Sequence, residues 1–185
     1  LIITQTGASI AATATGDTFD VEMITSTTCR IKNYQLASGR ALVAPAATTY
    51  VKFSAYKSSP NQALASATPT KITYDSEEYD VGSVFASSRF SPGKVGKFQL
   101  SAHWSISDTD ASANLAAYIY KNGSVHKLVK NWAPTDTSSG ITISVDVAAT
   151  LDTDYFEVYA RQDGGGSEEI NAGQTDCWFC GHELP

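Results

Sequence analysis

Cysteine is scarce, with only Cys29, Cys177 and Cys180 in 185 residues. An odd count without framework spacing excludes a small scaffold stapled by disulfides. Cys177-x-x-Cys180 followed by His182 invites zinc, yet a structural zinc site needs four ligands and no second pair is visible. On a strand the two thiols would also point to opposite faces, so the expectation is two buried small thiols rather than a shared metal. Basic residues are in deficit, 13 Lys and Arg against 19 Asp and Glu, for a formal charge of −6. Without a basic stripe along the chain, nucleic acid is not an expected partner. No run of about 18 apolar residues occurs, so membrane insertion is not expected. No charged segment leading into an apolar one opens the chain either, and no export signal is visible.

Catalytic motifs are missing as well. There is no Gly-x-Ser-x-Gly elbow, phosphate loop, Gly-x-Gly-x-x-Gly or His-Glu-x-x-His. His103, His126 and His182 are scattered, and His103 falls on the polar face of an alternating segment. Carboxylates gather at Glu77-Glu78-Tyr79-Asp80, Asp108/Asp110, Asp152/Asp154 and Glu168-Glu169. At strand ends and in loops such residues are ordinary solvated turn formers, and a glycosidase pair is not expected from them. Calcium suits oxygen-rich loops, but no EF-hand spacing is present and no ion is assigned. The expectation is a non-enzymatic protein without a cofactor.

What the chain does have is period-2 alternation. Phe98, Leu100, Ala102, Trp104 and Ile106 alternate with Lys97, Gln99, Ser101, His103 and Ser105, which predicts a half-buried strand over 97–106. Ile141, Ile143, Val145 and Val147 repeat the pattern, as do Phe156, Val158 and Ala160, and Leu115, Ala117 and Ile119. Val51, Phe53 and Ala55 begin another such segment. Asn122-Gly123 between two of these runs predicts a type I′ hairpin, because both central residues need positive φ. Ser91-Pro92-Gly93 and Gly164-Gly165-Gly166 read as loops. Short strands without intervening helices mean an all-β antiparallel sandwich or barrel.

Residues 37–49 are small and turn-prone and read as a linker. Residues 1–36 ahead of it are Thr- and Ala-rich, with strands expected over 19–24 and 28–34. So few large apolar groups do not support an independent core, so this short β-rich segment is expected to act as an anchoring arm on another surface.

From Phe90 the pattern becomes specific. Arg89-Phe90-Ser91-Pro92-Gly93-Lys94-Val95-Gly96-Lys97-Phe98 resembles the centre of the C1q/TNF-like domain, where a Phe precedes a Gly by six residues and Gly-x-aromatic opens a long strand. Phe53-Ser54-Ala55-Tyr56 is similar to that family's first strand, and Tyr118-Ile119-Tyr120-Lys121-Asn122-Gly123-Ser124 to its hairpin. Tyr155-Phe156-Glu157-Val158-Tyr159-Ala160 resembles its late strand, and Phe179-Cys180-Gly181-His182-Glu183-Leu184 its closing strand. The resemblance spans about residues 50–185, and Phe53, Phe90, Gly96, Phe98, Leu100, Asn122, Gly123, Phe156, Phe179 and Gly181 carry it. No collagen-like stalk precedes it, which points to the phage and bacterial version of the domain.

The resemblance implies a ten-stranded jelly roll that assembles as a homotrimer. Tyr118, Tyr120, Trp104 and Trp178 look like more apolar surface than one sandwich core needs. Burial between subunits would gain about 25 cal/mol per Å². The leading expectation is a trimeric module on a virion surface, a tail-fibre or head-fibre tip that meets the host. Residues 1–36 would dock on other virion proteins. Loops carrying Asp108, Asp110, Asp163, Glu168 and Glu169 would meet a host polysaccharide or protein. The alternatives are a capsid or tail decoration protein, and a lectin-like protein on a bacterial surface or in its surroundings.

Overall fold

The computed structural model describes residues 18–23, 29–35, 50–107, 113–134 and 138–185. The chain divides into two units, Leu1–Thr48 and Thr49–Pro185. In the first, β1 (Thr18–Met23) and β2 (Cys29–Gln35) pair antiparallel, within a residue of the two expected strands.

The second unit holds the remaining strands. In chain order they are β3 (Lys52–Tyr56), β4 (Gln62–Ala65), β5 (Thr70–Lys71), β6 (Ser76–Val81), β7 (Phe85–Ala86), β8 (Arg89–Phe90) and β9 (Gly96–Ile106). Then follow β10 (Ala113–Lys121), β11 (Ser124–Ala133), β12 (Ser139–Ala149), β13 (Phe156–Arg161), β14 (Ser167–Ile170) and β15 (Cys177–Glu183). They form two antiparallel sheets. One runs β11-β10-β13-β8-β7, with β5 also on β13. In the other, β9 lies between β12 and β15, β3 and β6 follow β15, and β14 with β4 continues past the start of β15. Successive strands pass repeatedly between the sheets, which is the winding of a jelly roll.

The period-2 expectations hold because each strand has one face toward the other sheet. Phe98, Leu100, Ala102, Trp104 and Ile106 are buried, as are Ile141, Ile143 and Val147 across the register. Six phenylalanines tie the two sheets together. Phe53 stacks on Phe85 at 4.8 Å and Phe90 at 4.9 Å, and meets Phe179 edge-on at 4.8 Å. Phe90 in turn meets Phe98 edge-on at 5.3 Å and stacks on Phe156 at 6.2 Å. Aromatic pairs in these geometries add about 0.5–1.5 kcal/mol each beyond area burial. Two residues correct the expectation of surplus surface: Trp104 is fully buried in the core, and Tyr118 is buried within the chain on the outward side of its strand.

The turns follow their chemistry. Asn122 and Gly123 have φ of 52° and 78°, the left-handed pair that a type I′ turn needs. Asp154 locks this hairpin from below. It accepts hydrogen bonds from Asn122 Nδ2 at 2.7 Å, Lys121 Nζ at 2.8 Å and the Thr150 N–H at 2.7 Å. Those bonds, led by Lys121, hold its carboxyl well below the usual range.

Candidate binding face

Of the residues expected to carry surface binding, Asp163, Glu168 and Glu169 are described, and each has its own place in the sandwich. Asp108 and Asp110 lie outside the described residues. Asp163 accepts a hydrogen bond from the Asn114 N–H at 2.6 Å, tying the end of β13 to the start of β10. Glu168 and Glu169 are not in a loop, because β14 runs through both. Glu169 accepts from Asn61 Nδ2 at 3.2 Å. The glycine-rich loop itself is tied internally. The buried Gln162 donates to the carbonyls of Leu64 and Gly166 and accepts from the Gly164 N–H at 2.6 Å.

Other polar signals resolve into structure. Glu78 is the extra residue of a bulge where β6 meets β3, and its carboxylate accepts from Ser54 Oγ at 2.6 Å and from Gln174 Nε2. Asp80 accepts the N–H groups of Val84 and Phe85. His103 lies on the outward face, its Nδ1 2.8 Å from Thr142 Oγ1 and its ring stacked on Trp178. Burial lowers its pKa, with Asp176 opposing. Cys177 is buried while Cys180 is only half-buried, which corrects the expectation of two buried thiols. Among the described residues no group of three or more His, Cys, Asp or Glu is placed to hold a metal ion. Among them, too, no helix is long and apolar enough to cross a membrane.

A coherent surface does arise on the outward face of the β10–β13 sheet. Leu115, Ala117 and Ile119 of β10 point to the core, so Tyr118 and Tyr120 lie on the outward face, where Tyr118 is buried by its neighbours and Tyr120 half-buried. On β13 the same alternation turns Glu157, Tyr159 and Arg161 outward. Tyr120 stacks on Tyr159 at 4.0 Å and meets Tyr118 edge-on at 6.0 Å. Burial pushes the phenols of Tyr120 and Tyr159 up, so both stay neutral donors. On the neighbouring edge strand β11, Leu128 pairs in register with Tyr118 and Trp132 with Asn114. Both are solvent-exposed, Trp132 at 59%.

Glu157 anchors the charged part of this face. Although it sits on the polar side of its strand, it is buried under two cations. Its Oε1 accepts from Lys71 Nζ at 2.8 Å and from Arg89 Nε at 3.0 Å. Burial alone would raise its pKa, but the hydrogen bonds from Lys71 and Arg89 more than offset that, and the carboxyl titrates below its ordinary value. Arg89 also lies over the Tyr155 ring at 3.8 Å, a cation–π contact. The sequence hid this cluster, because Lys71 and Arg89 are 86 and 68 residues from Glu157. The one local signal was a carboxylate in the middle of an otherwise apolar and aromatic strand.

The two sheets differ in charge. Strands of the β10–β13 sheet carry six cations, Lys71, Arg89, Lys121, Lys127, Lys130 and Arg161, against the single carboxylate of Glu157, a net of five positive. The other sheet carries only Lys52 and Lys97 against Glu77, Glu78 and Asp80 on β6, Asp146 on β12, Glu168 and Glu169 on β14 and Glu183 on β15, a net of five negative. A chain acidic overall therefore folds into a molecule with one basic sheet.

No family model matches this sequence, and no curated protein sequence matches it. Solved structures do. Eiger TNF from S. frugiperda is similar with a TM-score of 0.57 and 7% identity, over 74% of this chain and 94% of that one. Murine APRIL is similar with a TM-score of 0.54 and 7% identity, over 73% of this chain and 99% of that one. The globular domain of zebrafish complement 1qA protein gives a TM-score of 0.48 and 14% identity, over 73% of this chain and 98% of that one. The sandwich has the C1q/TNF-like jelly-roll fold.

Proposed function

We propose that this protein is a non-enzymatic homotrimeric binding module displayed on a virion, with residues 1–36 docked on the particle and the sandwich turned toward the host surface. The observation that carries the binding reading is the outward cluster of half-buried Tyr120 and Tyr159 with exposed Leu128 and Trp132 on one sheet, packed around the buried Tyr118. Aromatic groups that expose area without completing a core mark a contact surface. Trimer formation is supported by the fold and by the opposite sheet. There Ser144, Ser101, Cys180 and Ser54 lie side by side across four strands, a band of small side chains that lets a second subunit approach closely. Trp178 and Tyr56, paired in register beside that band, add apolar area.

Light scattering of the full chain is expected to give about three times 19.7 kDa under dilution, and a monomer at micromolar concentration overturns the assembly. Mass spectrometry of purified virions is expected to find the chain, and its absence overturns the virion placement. Retention of the purified protein on whole host cells supports attachment. A chain present in virions that does not bind cells moves the reading to a decoration protein.

A further inference from the structure

We infer that the outward face of the β10–β13 sheet binds an acidic polysaccharide, through the cations Lys71, Arg89, Lys130 and Arg161 and the aromatic groups Tyr120, Tyr159 and Trp132 interleaved with them. This rests on the binding-module reading and names its ligand class.

Charge complementarity argues for an anionic partner. Glu157 Oε1 serves both Lys71 and Arg89, so one carboxylate balances two cations and an excess positive charge remains at the centre of the face. Lys71 and Arg89 keep 29% and 41% of their side chains accessible, so both reach a ligand while paired. Arg161 is 25% accessible and lies 3.7 Å from Asp163, at the long end of an ion pair. Lys130 stands opposite Ala116 on the same side of the sheet, two residues from Trp132. The acidic sheet across the sandwich orients the molecule, presenting the basic side to an anionic surface and turning its own carboxylates away.

The aromatic residues argue for sugar rings. A pyranose offers an apolar C–H face and a rim of hydroxyls. Tyr and Trp match that pairing, with an apolar ring body and one polar tip. The cations and aromatic groups are spread over β5, β8, β10, β11 and β13, so the face suits an extended chain crossing the strands rather than a small molecule enclosed in a pocket. Cations interleaved with aromatics also suit single-stranded nucleic acid. The chain's net charge of −6 and its strongly acidic second sheet disfavour a long polyphosphate, whose charge extends well past this face.

The test is titration of the full chain with polygalacturonate, neutral dextran and a single-stranded oligonucleotide. Polygalacturonate is expected to bind, dextran not, and affinity to fall roughly tenfold between about 50 and 200 mM salt as counterion release weakens. Lys130→Glu and Trp132→Ala change exposed side chains and should each weaken binding by about tenfold. Lys97→Glu makes the same charge change on the acidic sheet and should stay within about twofold. Circular dichroism confirms that each variant folds. Absence of polygalacturonate binding, equal loss in Lys97→Glu, or tighter binding of the oligonucleotide overturns the inference. If the protein holds host cells and excess polygalacturonate does not release it, this inference fails and attachment stands. If polygalacturonate binds through Lys130 and Trp132 but virions lack the chain, the inference stands and the virion placement falls.

Discussion

Tyr120 of β10 and Tyr159 of β13 stack with ring centroids 4.0 Å apart and planes at 24°, although they are not direct neighbours in the ladder. Tyr159 faces Tyr118 and Tyr120 faces Glu157, so the stacked pair is a diagonal one across the sheet. Diagonal contacts of this kind are within reach of aromatic side chains. Tyr120 pairs in register with Glu157, whose carboxylate gathers Lys71 and Arg89. Aromatic and charged parts of the face are therefore one structure.

Glu157→Gln should lower stability by about 1–3 kcal/mol, since charge-assisted hydrogen bonds to Lys71 and Arg89 are lost. The pH dependence has a definite sign. The folded carboxyl titrates below its ordinary value of 4.5, so its contribution is complete above that value and disappears as pH falls through the lower folded one. Urea denaturation at a series of pH values should show the wild type weakening on the acid side. The Gln variant should show a shallower acid slope. An unchanged slope would mean the pair is not formed.

Gly181 sits where β15 crosses the core. A Cβ there would lie 2.5 Å from Leu100 Cδ2 and 2.9 Å from Phe53 Cε1, both fully buried side chains with no room to retreat. Gly181→Ala should cost about 1–3 kcal/mol through overpacking. At Gly140 a Cβ would meet His103 Cε1 at 2.8 Å, but that ring is half-exposed and can swing outward. Gly140→Ala should cost less than about 1 kcal/mol. Comparable midpoints for the two variants in urea would contradict this packing.

The two thiols of β15 should react differently. Burial pushes the Cys177 thiol up to about 12, leaving almost no thiolate near neutrality. Cys180 is raised by burial and then by Glu78, and it remains half-exposed on the outward face. Iodoacetamide at about pH 8 should leave Cys177 unlabelled in the native protein, while Cys180 should be shielded in the assembled trimer and label ahead of Cys177 once mild urea separates the subunits, read by peptide mass spectrometry. Denaturant should expose both. Rapid labelling of Cys180 in the assembled protein would count against its place between subunits, and rapid native labelling of Cys177 would refute its burial.

The sandwich was legible in the sequence because its determinants are local. Alternation at 97–106 and 141–147 needs only that one face of each strand be dry, and Asn122-Gly123 is the cheapest way to set two consecutive positive φ values. Phe53, Phe98 and Phe156 were identifiable for the same reason, Phe90 and Phe179 only through the family resemblance, and all five are fully buried. The candidate binding face was not legible. Read in order, Lys71, Arg89, Lys130 and Arg161 are isolated cations in an acidic chain, and nothing in their spacing links them. Sheet order β11-β10-β13-β8, with β5 on β13, brings them onto one side. Likewise Glu157 looks like a solvated strand residue until two distant strands place cations over it. Trp104 could be assigned to surplus surface from composition alone, but its register opposite Ile141 and Cys177 puts it inside. Local pattern determined which residues are dry, because burial alternates along each strand. Which polar residues meet depended on long-range strand pairing, and only the tertiary structure decides that.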